Sequence, residues 1–256
     1  MMTKPPGQFY DNLGEAYDLM IDWVPRLERE TPFFYKVFRE RGVKSVLDSA
    51  CGSGRHAVEF ARRGYDVAVC DISPRMLDLA HQNARTAGVK VEIFQSDLTE
   101  IDRVAGRRFD AVLCLGNSLP HLLTQRDLER AMRSVKRALA PGGIFIAQVR
   151  NYERILKENL RFMPPTSREL DGRELMFFRM LDIHGPRRVD FNIILFTRES
   201  GKWTYKVETT RLRPILKEHI GAALKRVGFS TEAYYSDYQF TPFESNKTLD
   251  LIVVAE

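Results

Sequence analysis

Apolar positions between residues 45 and 150 fall into two alternating patterns. One is the short run, seen in Ser45 to Leu47, Asp66 to Cys70, Val89 to Phe94, Phe109 to Leu115 and Ile144 to Val149. The other has helical spacing: Ala57, Val58, Phe60 and Ala61, then Met76, Leu77, Ala80 and Ala84, then Leu128, Ala131, Met132, Val135 and Leu139. The runs predict strands buried on both faces, and the spaced sets predict helices with one buried stripe. Ser73-Pro74 and Thr124 are helix starts, the second with Asp127 as its capping-box partner, and Gly64 and Gly88 are helix stops. Strand and helix alternate, which predicts an α/β fold with a doubly wound, mainly parallel sheet. Upstream, Tyr10, Leu13 and Tyr17 predict a leader helix within Phe9 to Trp23, and a second helix runs from about Thr31 to Arg41, ended by Gly42. Residues 1–44 therefore read as N-terminal cap helices.

The rhythm changes after residue 150. Leu175 to Ile183, Val189 to Arg198 and Trp203 to Arg213 predict strands joined by turns at Gly185-Pro186 and Ser200-Gly201. This antiparallel β insertion occupies 151–213, a lid, substrate or oligomer region above the site. A helix from Ile215 to Val227, stopped by Gly228, and a hairpin of Thr231 to Tyr235 with Leu249 to Ala255 return the chain to the main sheet, so 214–256 belongs with 45–150.

The chemistry concentrates at Val46-Leu47-Asp48-Ser49-Ala50-Cys51-Gly52-Ser53-Gly54-Arg55-His56, a strand running through a glycine turn into a helix. Gly52 and Gly54 let a ligand approach the main chain. With Ala57 they also satisfy the dinucleotide fingerprint, so the glycines alone do not choose a cofactor. Two acids sharpen the choice. Asp48 stands at a strand tip that is usually apolar in dinucleotide-binding chains, and Asp71 ends the next strand, where an acid accepts hydrogen bonds from ribose hydroxyls. In Leu47-Asp48-x-x-Cys51-Gly52-x-Gly54 and Asp71 the chain resembles the class I S-adenosylmethionine-dependent methyltransferases. The resemblance implies a Rossmann-like fold, S-adenosyl-L-methionine as cofactor and S-adenosyl-L-homocysteine as product. It also implies a cofactor site of Asp48, Ala50, Gly52, Gly54, Asp71 and Leu115. Met76 touches the adenine edge or is core. Asp97 accepts the adenine amino proton and the Leu98 amide donates to the ring. Tyr17 lies in the segment that closes over the cofactor. One of Arg26 and Arg29 holds the methionyl carboxylate, and the resemblance favours Arg29.

Three segments narrow the resemblance: Phe9 to Asp18, Leu115-Gly116-Asn117-Ser118-Leu119-Pro120-His121, and Val149-Arg150-Asn151-Tyr152-Glu153-Arg154-Ile155-Leu156. They are similar to glycine N-methyltransferase and the glycine/sarcosine N-methyltransferases, and the third is the most specific. The implied substrate is a small carboxylated amine. Arg150, at the tip of a strand, is placed to grip its carboxylate through two parallel hydrogen bonds, or to form a structural salt bridge. Asn117 is a candidate to orient amine or carboxylate. His121 is a candidate to position substrate or to accept a proton through water. Tyr10, Tyr17 and Tyr205 are candidates for an aromatic wall around the amine. Met20 stands where the mammalian-type enzyme carries a tyrosine, which leaves glycine, sarcosine, dimethylglycine and other small carboxylated amines open. Another small-molecule N- or O-methyltransferase is the main rival.

Charge bears on the alternatives. The chain is 256 residues long with a net charge of +5 and a pI near 9.1, which raises the question of nucleic acid. Arg126, Arg130, Arg133 and Arg137 form one stripe on a helix, read as a solvated outer face because basic residues elsewhere mix with acids. Asn117-Ser118-Leu119-Pro120 is not the Asn/Asp-Pro-Pro-aromatic motif of base-amine methylation, which further argues against a nucleic-acid methyltransferase. Met1 to Gly7 has no apolar run and nothing reaches the length of a membrane span, so no signal peptide, membrane or location beyond the cytoplasm is expected. Cys51, Cys70 and Cys114 lack metal-like spacing and read as reduced core residues; no metal is expected. Self-association is compatible with the sequence.

Overall fold

The computed structural model describes residues 3–104, 106–230 and 232–256. Met1, Met2 and the expected strand residue Thr231 lie outside them. Three helices lead in: α1 (Pro6–Leu13), α2 (Ala16–Met20) and α3 (Trp23–Arg41). The leader is therefore broken, at Gly14, whose φ of 49° is easily adopted only without a side chain. The third helix begins well before Thr31 and runs through Pro32. Pro32 faces outward, where the carbonyl it leaves unpaired meets solvent, while Phe33, Phe34, Val37 and Phe38 form the buried stripe. Arg26 and Arg29 are thus residues of α3 rather than of a preceding loop.

The alternating region follows: β1 (Ser45–Ser49), α4 (Arg55–Arg62), β2 (Asp66–Asp71), α5 (Pro74–Ala87), β3 (Glu92–Gln95), α6 (Ile101–Val104), β4 (Phe109–Cys114), the short 3₁₀ turn Leu119–His121, α7 (Gln125–Ala138) and β5 (Leu139–Arg150). Strand β3 starts three residues later than the apolar run suggests. The Pro141-Gly142-Gly143 turn is an irregularity within β5, where pairing with β4 jumps from Phe109↔Leu139 to Ala111↔Ile144. Next come α8 (Tyr152–Glu158), then β6 (Thr166–Leu170), β7 (Arg173–Ile183), β8 (Val189–Glu199) and β9 (Lys202–Leu212), and finally α9 (Lys217–Arg226), β10 (Glu232–Tyr235) and β11 (Asp250–Ala255).

The strands form a seven-stranded sheet in the order β10-β11-β5-β4-β1-β2-β3 and a four-stranded antiparallel sheet in the order β6-β7-β8-β9. In the larger sheet β1 to β5 are parallel, and β11 and β10 close one edge antiparallel. The Rossmann-like expectation holds, with the C-terminal hairpin and the antiparallel sheet. Strand β6 has no apolar alternation to announce it; its side chains are exposed or half-buried.

Successive side chains of a strand point to opposite faces, so the larger sheet has two cores. Leu47, Val112, Phe145 and Val253 face α7 and α9. Val46, Val69, Leu113 and Ile146 face Phe34, Phe38 and Phe60 of α3 and α4. A third cluster, with Phe9, Leu13, Met20, Phe177 and Ile193, fastens the antiparallel sheet to the leader helices. The arginine stripe of α7 is exposed, as a solvated face requires. Cys51, Cys70 and Cys114 are buried and unpaired with one another. Among the described residues no helix is long and apolar enough to cross a membrane, and no group of three or more His, Cys, Asp or Glu could hold a metal ion.

Gly54 has φ +71°, and a Cβ there would lie 2.8 Å from the Cβ of Ala80 on α5. Its glycine character is thus a packing requirement between α4 and α5. Gly54→Ala should lower unfolding free energy by about 2–4 kcal/mol through backbone strain and overpacking. Urea denaturation measures it; an unchanged midpoint would remove the packing argument.

Candidate active site

The carboxyl ends of β1, β2, β4 and β5 open into two adjoining cavities, of about 90 and about 390 Å³. The turn after β1 is their floor. Ala50 and Gly52 both have positive φ, 61° and 54°, and both line the smaller cavity. Asp71 ties this turn to the next helix: the Gly52 amide donates to its Oδ2 at 2.9 Å and the Ser73 amide to its Oδ1 at 2.9 Å. Burial raises the Asp71 carboxyl above the usual carboxylate range, against the pull of these amides. Asp48 lies beneath the turn, buried, and is pushed up to about 7 by burial first and by the charge of Asp71 second. Neither Asp48 nor Gly54 is among the residues lining the two cavities. The first is a buried neighbour of Asp71, and the second holds α4 against α5.

The two Tyr-Asp pairs of the leader divide their labour. The acids anchor. Asp11 Oδ1 accepts from Ser73 Oγ at 2.6 Å, and Asp18 accepts from Ser53, from Arg55 Nε at 2.9 Å and from Trp23 Nε1 at 3.0 Å. The tyrosines point inward. Tyr17 covers Gly52, where an added Cβ would approach its hydroxyl to 3.2 Å. Tyr10 and Tyr17 both line both cavities, with ring centroids 6.0 Å apart. Tyr10 Oη and His121 Nε2 share a hydrogen bond of 3.1 Å. Burial lowers His121 to about 4, so its imidazole is neutral near pH 7 and works as a hydrogen-bonding wall. Met76, Asp97, Leu98 and Leu115 line the smaller cavity as expected, Met76 while fully buried.

Other expectations change with the geometry. Arg29 has a side chain 58% exposed, whereas that of Arg26 is 18% exposed and its terminus lies near Gly116. Arg26 Nε donates to Glu30 Oε1 at 2.9 Å, and His56 Nε2 donates to Glu30 Oε2 at 2.8 Å. Burial opposes the charge on Glu30, but the His56 and Arg26 contacts hold its carboxyl down to about 2. Both arginines line the larger cavity, Arg26 buried on this fixed base and Arg29 at its more exposed side. The signal for Arg26 was present as an i,i+4 Arg-Glu pair on a helix. Asn117 lines the larger cavity and is held at both ends of its amide. Its φ is 68°, its Oδ1 accepts from the Arg150 amide at 3.0 Å, and its Nδ2 donates to Tyr152 Oη at 3.1 Å. It brackets the tip of β5. Arg150 itself lines the larger cavity, across the β5–β11 pair from Asp250, which accepts from Gln148 Nε2 at 2.8 Å. Burial raises Asp250, and the nearby Arg150 charge partly offsets this. Tyr205 is 72% exposed beside Phe196 and belongs to neither cavity.

The order of groups along the cavities has a chemical meaning. Acids, Asp71 and Asp97, stand at one end with Met76 and Leu98 as apolar walls; Arg26 stands at the other; tyrosines fill the junction. An amino donor on a flat ring, a pair of hydroxyls, a cationic centre and a carboxylate match this sequence in turn. S-adenosylmethionine carries those groups in that order, so the residues fit it.

Fold and site thus define a nucleoside-cofactor transferase, and the comparisons place it. The chain belongs to the class I S-adenosylmethionine-dependent methyltransferases. Residues 46–143 match the family described as a methyltransferase domain. Over 91% of its length the chain is 31% identical to glycine/sarcosine N-methyltransferases of Parasynechococcus marenigrum and Aphanothece halophytica, covering 79% and 84% of those proteins. It is 33% identical to glycine N-methyltransferase of Rattus norvegicus over 59% of this chain and 56% of that one. In structure it is similar to an S-adenosylmethionine-dependent methyltransferase of Clostridium acetobutylicum, with TM-score 0.76, 20% identity and 97% of each chain covered. An amino pentose methyltransferase of Micromonospora echinaspora, solved with S-adenosylmethionine bound, gives TM-score 0.73 at 20% identity over 94% of each chain.

Arg26→Met should weaken S-adenosylhomocysteine binding on the order of 30-fold or more, because it also strands Glu30, while Arg29→Met should stay within about threefold. Calorimetric titration separates them, and equal losses would return the role to both. A second expectation concerns acid. His121 titrates at about 4 in the fold and at 6.5 when unfolded, so the unfolded chain binds the extra proton between those values. Stability from this burial is full above pH 6.5 and falls as pH drops towards 4, by up to about 3 kcal/mol. His121→Gln should flatten that slope in denaturation curves taken across the window; an unaltered slope would place the titration elsewhere.

Proposed function

We propose that the chain methylates the nitrogen of a small carboxylated amine such as glycine or sarcosine. Arg150 carries the reading. Its backbone is fixed by Asn117 at the tip of β5, and its side chain lines the larger cavity beside the tyrosine junction. A guanidinium there suits a carboxylate through two parallel hydrogen bonds. The names of relatives about 30% identical across most of the chain support the same acceptor class.

When bound, S-adenosylmethionine supplies an electrophilic methyl group. What the chain must add is position and a dry wall. Arg150 fixes the acceptor by its carboxylate. Tyr10, Tyr17 and neutral His121 enclose the amine without placing a competing cation beside it. A new N–C bond forms as the C–S bond breaks, and the nitrogen passes its proton to solvent. A larger carboxylated amine is a second reading, favoured by the roughly 390 Å³ of the acceptor-side cavity.

Purified protein with S-adenosylmethionine should release S-adenosylhomocysteine with at least one of glycine, sarcosine and dimethylglycine. Arg150→Ala should raise KM for that acceptor on the order of 30-fold or more with cofactor affinity kept. Cofactor binding without turnover on any of the three would reject this acceptor class.

A further inference from the structure

The antiparallel sheet contributes one group to the larger cavity that the proposed reaction has not used. Along β7 the side chains of Leu175, Phe177, Arg179, Leu181 and Ile183 share a face by the period of two. Phe177 and Leu181 are 1% and 2% exposed, packed against the leader helices and around Tyr152 respectively. Arg179 sits between them, on the same inward face, and lines the larger cavity with Arg150.

No carboxylate is within ion-pair distance of Arg179 among the described residues. Its Nε is buried without a hydrogen-bond partner, and among the described residues its side chain makes one hydrogen bond, a long one from a terminal nitrogen to the Pro164 carbonyl at 3.4 Å. The acid in its own cross-strand row, Glu208 beyond Ile193, is held by Lys4 and Asn12. Arg26, also in this cavity, has Glu30, and Asp250 is engaged by Gln148. Burial and the charges of Arg150 and Arg26 all act against the Arg179 cation. A half-buried guanidinium with a buried, unpartnered Nε beside the Arg150 charge is an unfavourable arrangement that a bound anion relieves.

We infer that Arg179 is the second arm of an anion clamp, gripping the acceptor's carboxylate together with Arg150. The inference rests on the reading that the acceptor carries a carboxylate. It gives the antiparallel sheet a specificity role: the sheet helps to choose the acceptor by supplying the arm that recognises its acid group. Arg179 binds substrate and takes no part in bond making, so its loss acts on saturation.

The test uses Arg179→Met and Arg179→Lys beside the unaltered protein. With S-adenosylhomocysteine saturating, acetate is titrated calorimetrically as a bare carboxylate probe, and KM and kcat are measured with glycine and sarcosine. Arg179→Met should weaken acetate binding and raise KM on the order of 30-fold, leave kcat within about threefold and leave cofactor affinity unchanged. Arg179→Lys should recover part of the loss, which a purely structural arginine would not require. Methylamine, which lacks the carboxylate, should show no such difference between the forms. Acetate affinity and KM unchanged in Arg179→Met would overturn the clamp. Acetate binding that depends on Arg179, without turnover on any amino acid, would keep the clamp and reject the acceptor proposed above. No acetate binding by the unaltered protein would overturn the clamp whatever the turnover.

Discussion

Asp18 is the contact on which the site's closure depends. Its carboxylate gathers Ser53 from the glycine turn, Arg55 from α4, Asn83 from α5 and Trp23 from α3. Four parts of the chain therefore meet on one side chain that is 14% exposed. A charge-assisted contact in such a place is worth more than one at the open surface, because water screens it less. Asp11 repeats the device one helix earlier, at the start of α5. With both acids anchored, Tyr10 and Tyr17 have little choice but to cover the junction of the two cavities. The leader is thus a roof whose fasteners and lining alternate along the sequence.

The same logic orders the charges. Acids stand where a nucleoside would present hydroxyl and amino donors, and arginines stand where carboxylates would lie. Glu30 shows how the protein keeps a buried arginine in position. It is 3% exposed, and it stays ionised because Arg26 and His56 both donate to it. A lone arginine at that depth would suffer desolvation without compensation. Neutral His121 and the tyrosines at the junction complete the division. They add hydrogen-bonding surface between the two charged ends without adding a charge of their own.

Much of this was legible in the sequence, for reasons that differ by residue. The parallel strands could be read because burial on both faces leaves unbroken apolar runs, and the glycine turn could be read because backbone conformation restricts which residue fits. Asp71 could be read because it closes a strand at a fixed place relative to that turn. The rest depends on information that local pattern does not carry. Pro32 looks like a helix start, yet α3 runs through it because the proline faces solvent and the aromatic stripe continues on the other side. Arg26 and Arg29 differ only in which side of α3 faces the sheet, and a helix start placed at Thr31 concealed that side. Asn117 has a bracing part that the sequence does not show, because only the fold brings Arg150 and Tyr152 to both ends of its amide. Tyr205 shares a strand with buried residues but lies on the outward side. Arg179 was visible as a charged break in an apolar alternation, although only the packing of β7 on the leader makes that break point inward.

The two ends of the site are built by different means. Residues that fit the cofactor come from the sheet tips within 46–143, where the family match lies, together with the leader. Arg150, Arg179 and Asp250 all fall after that stretch. Two of them stand on strands β5 and β11 of the main sheet, and one on the antiparallel sheet. The antiparallel sheet meets the leader through the apolar cluster of Phe9, Leu13 and Met20 and through polar ties such as Lys4 and Asn12 to Glu208 and Thr166 to the Met20 carbonyl, not through the glycine turn itself. That cluster is non-directional and tolerates repacking of similar volume, whereas the turn is held by directional bonds to Asp71 and Asp18. The glycine turn is thus held by directional bonds, whereas the inner face of the antiparallel sheet rests largely on packing that depends on volume rather than direction.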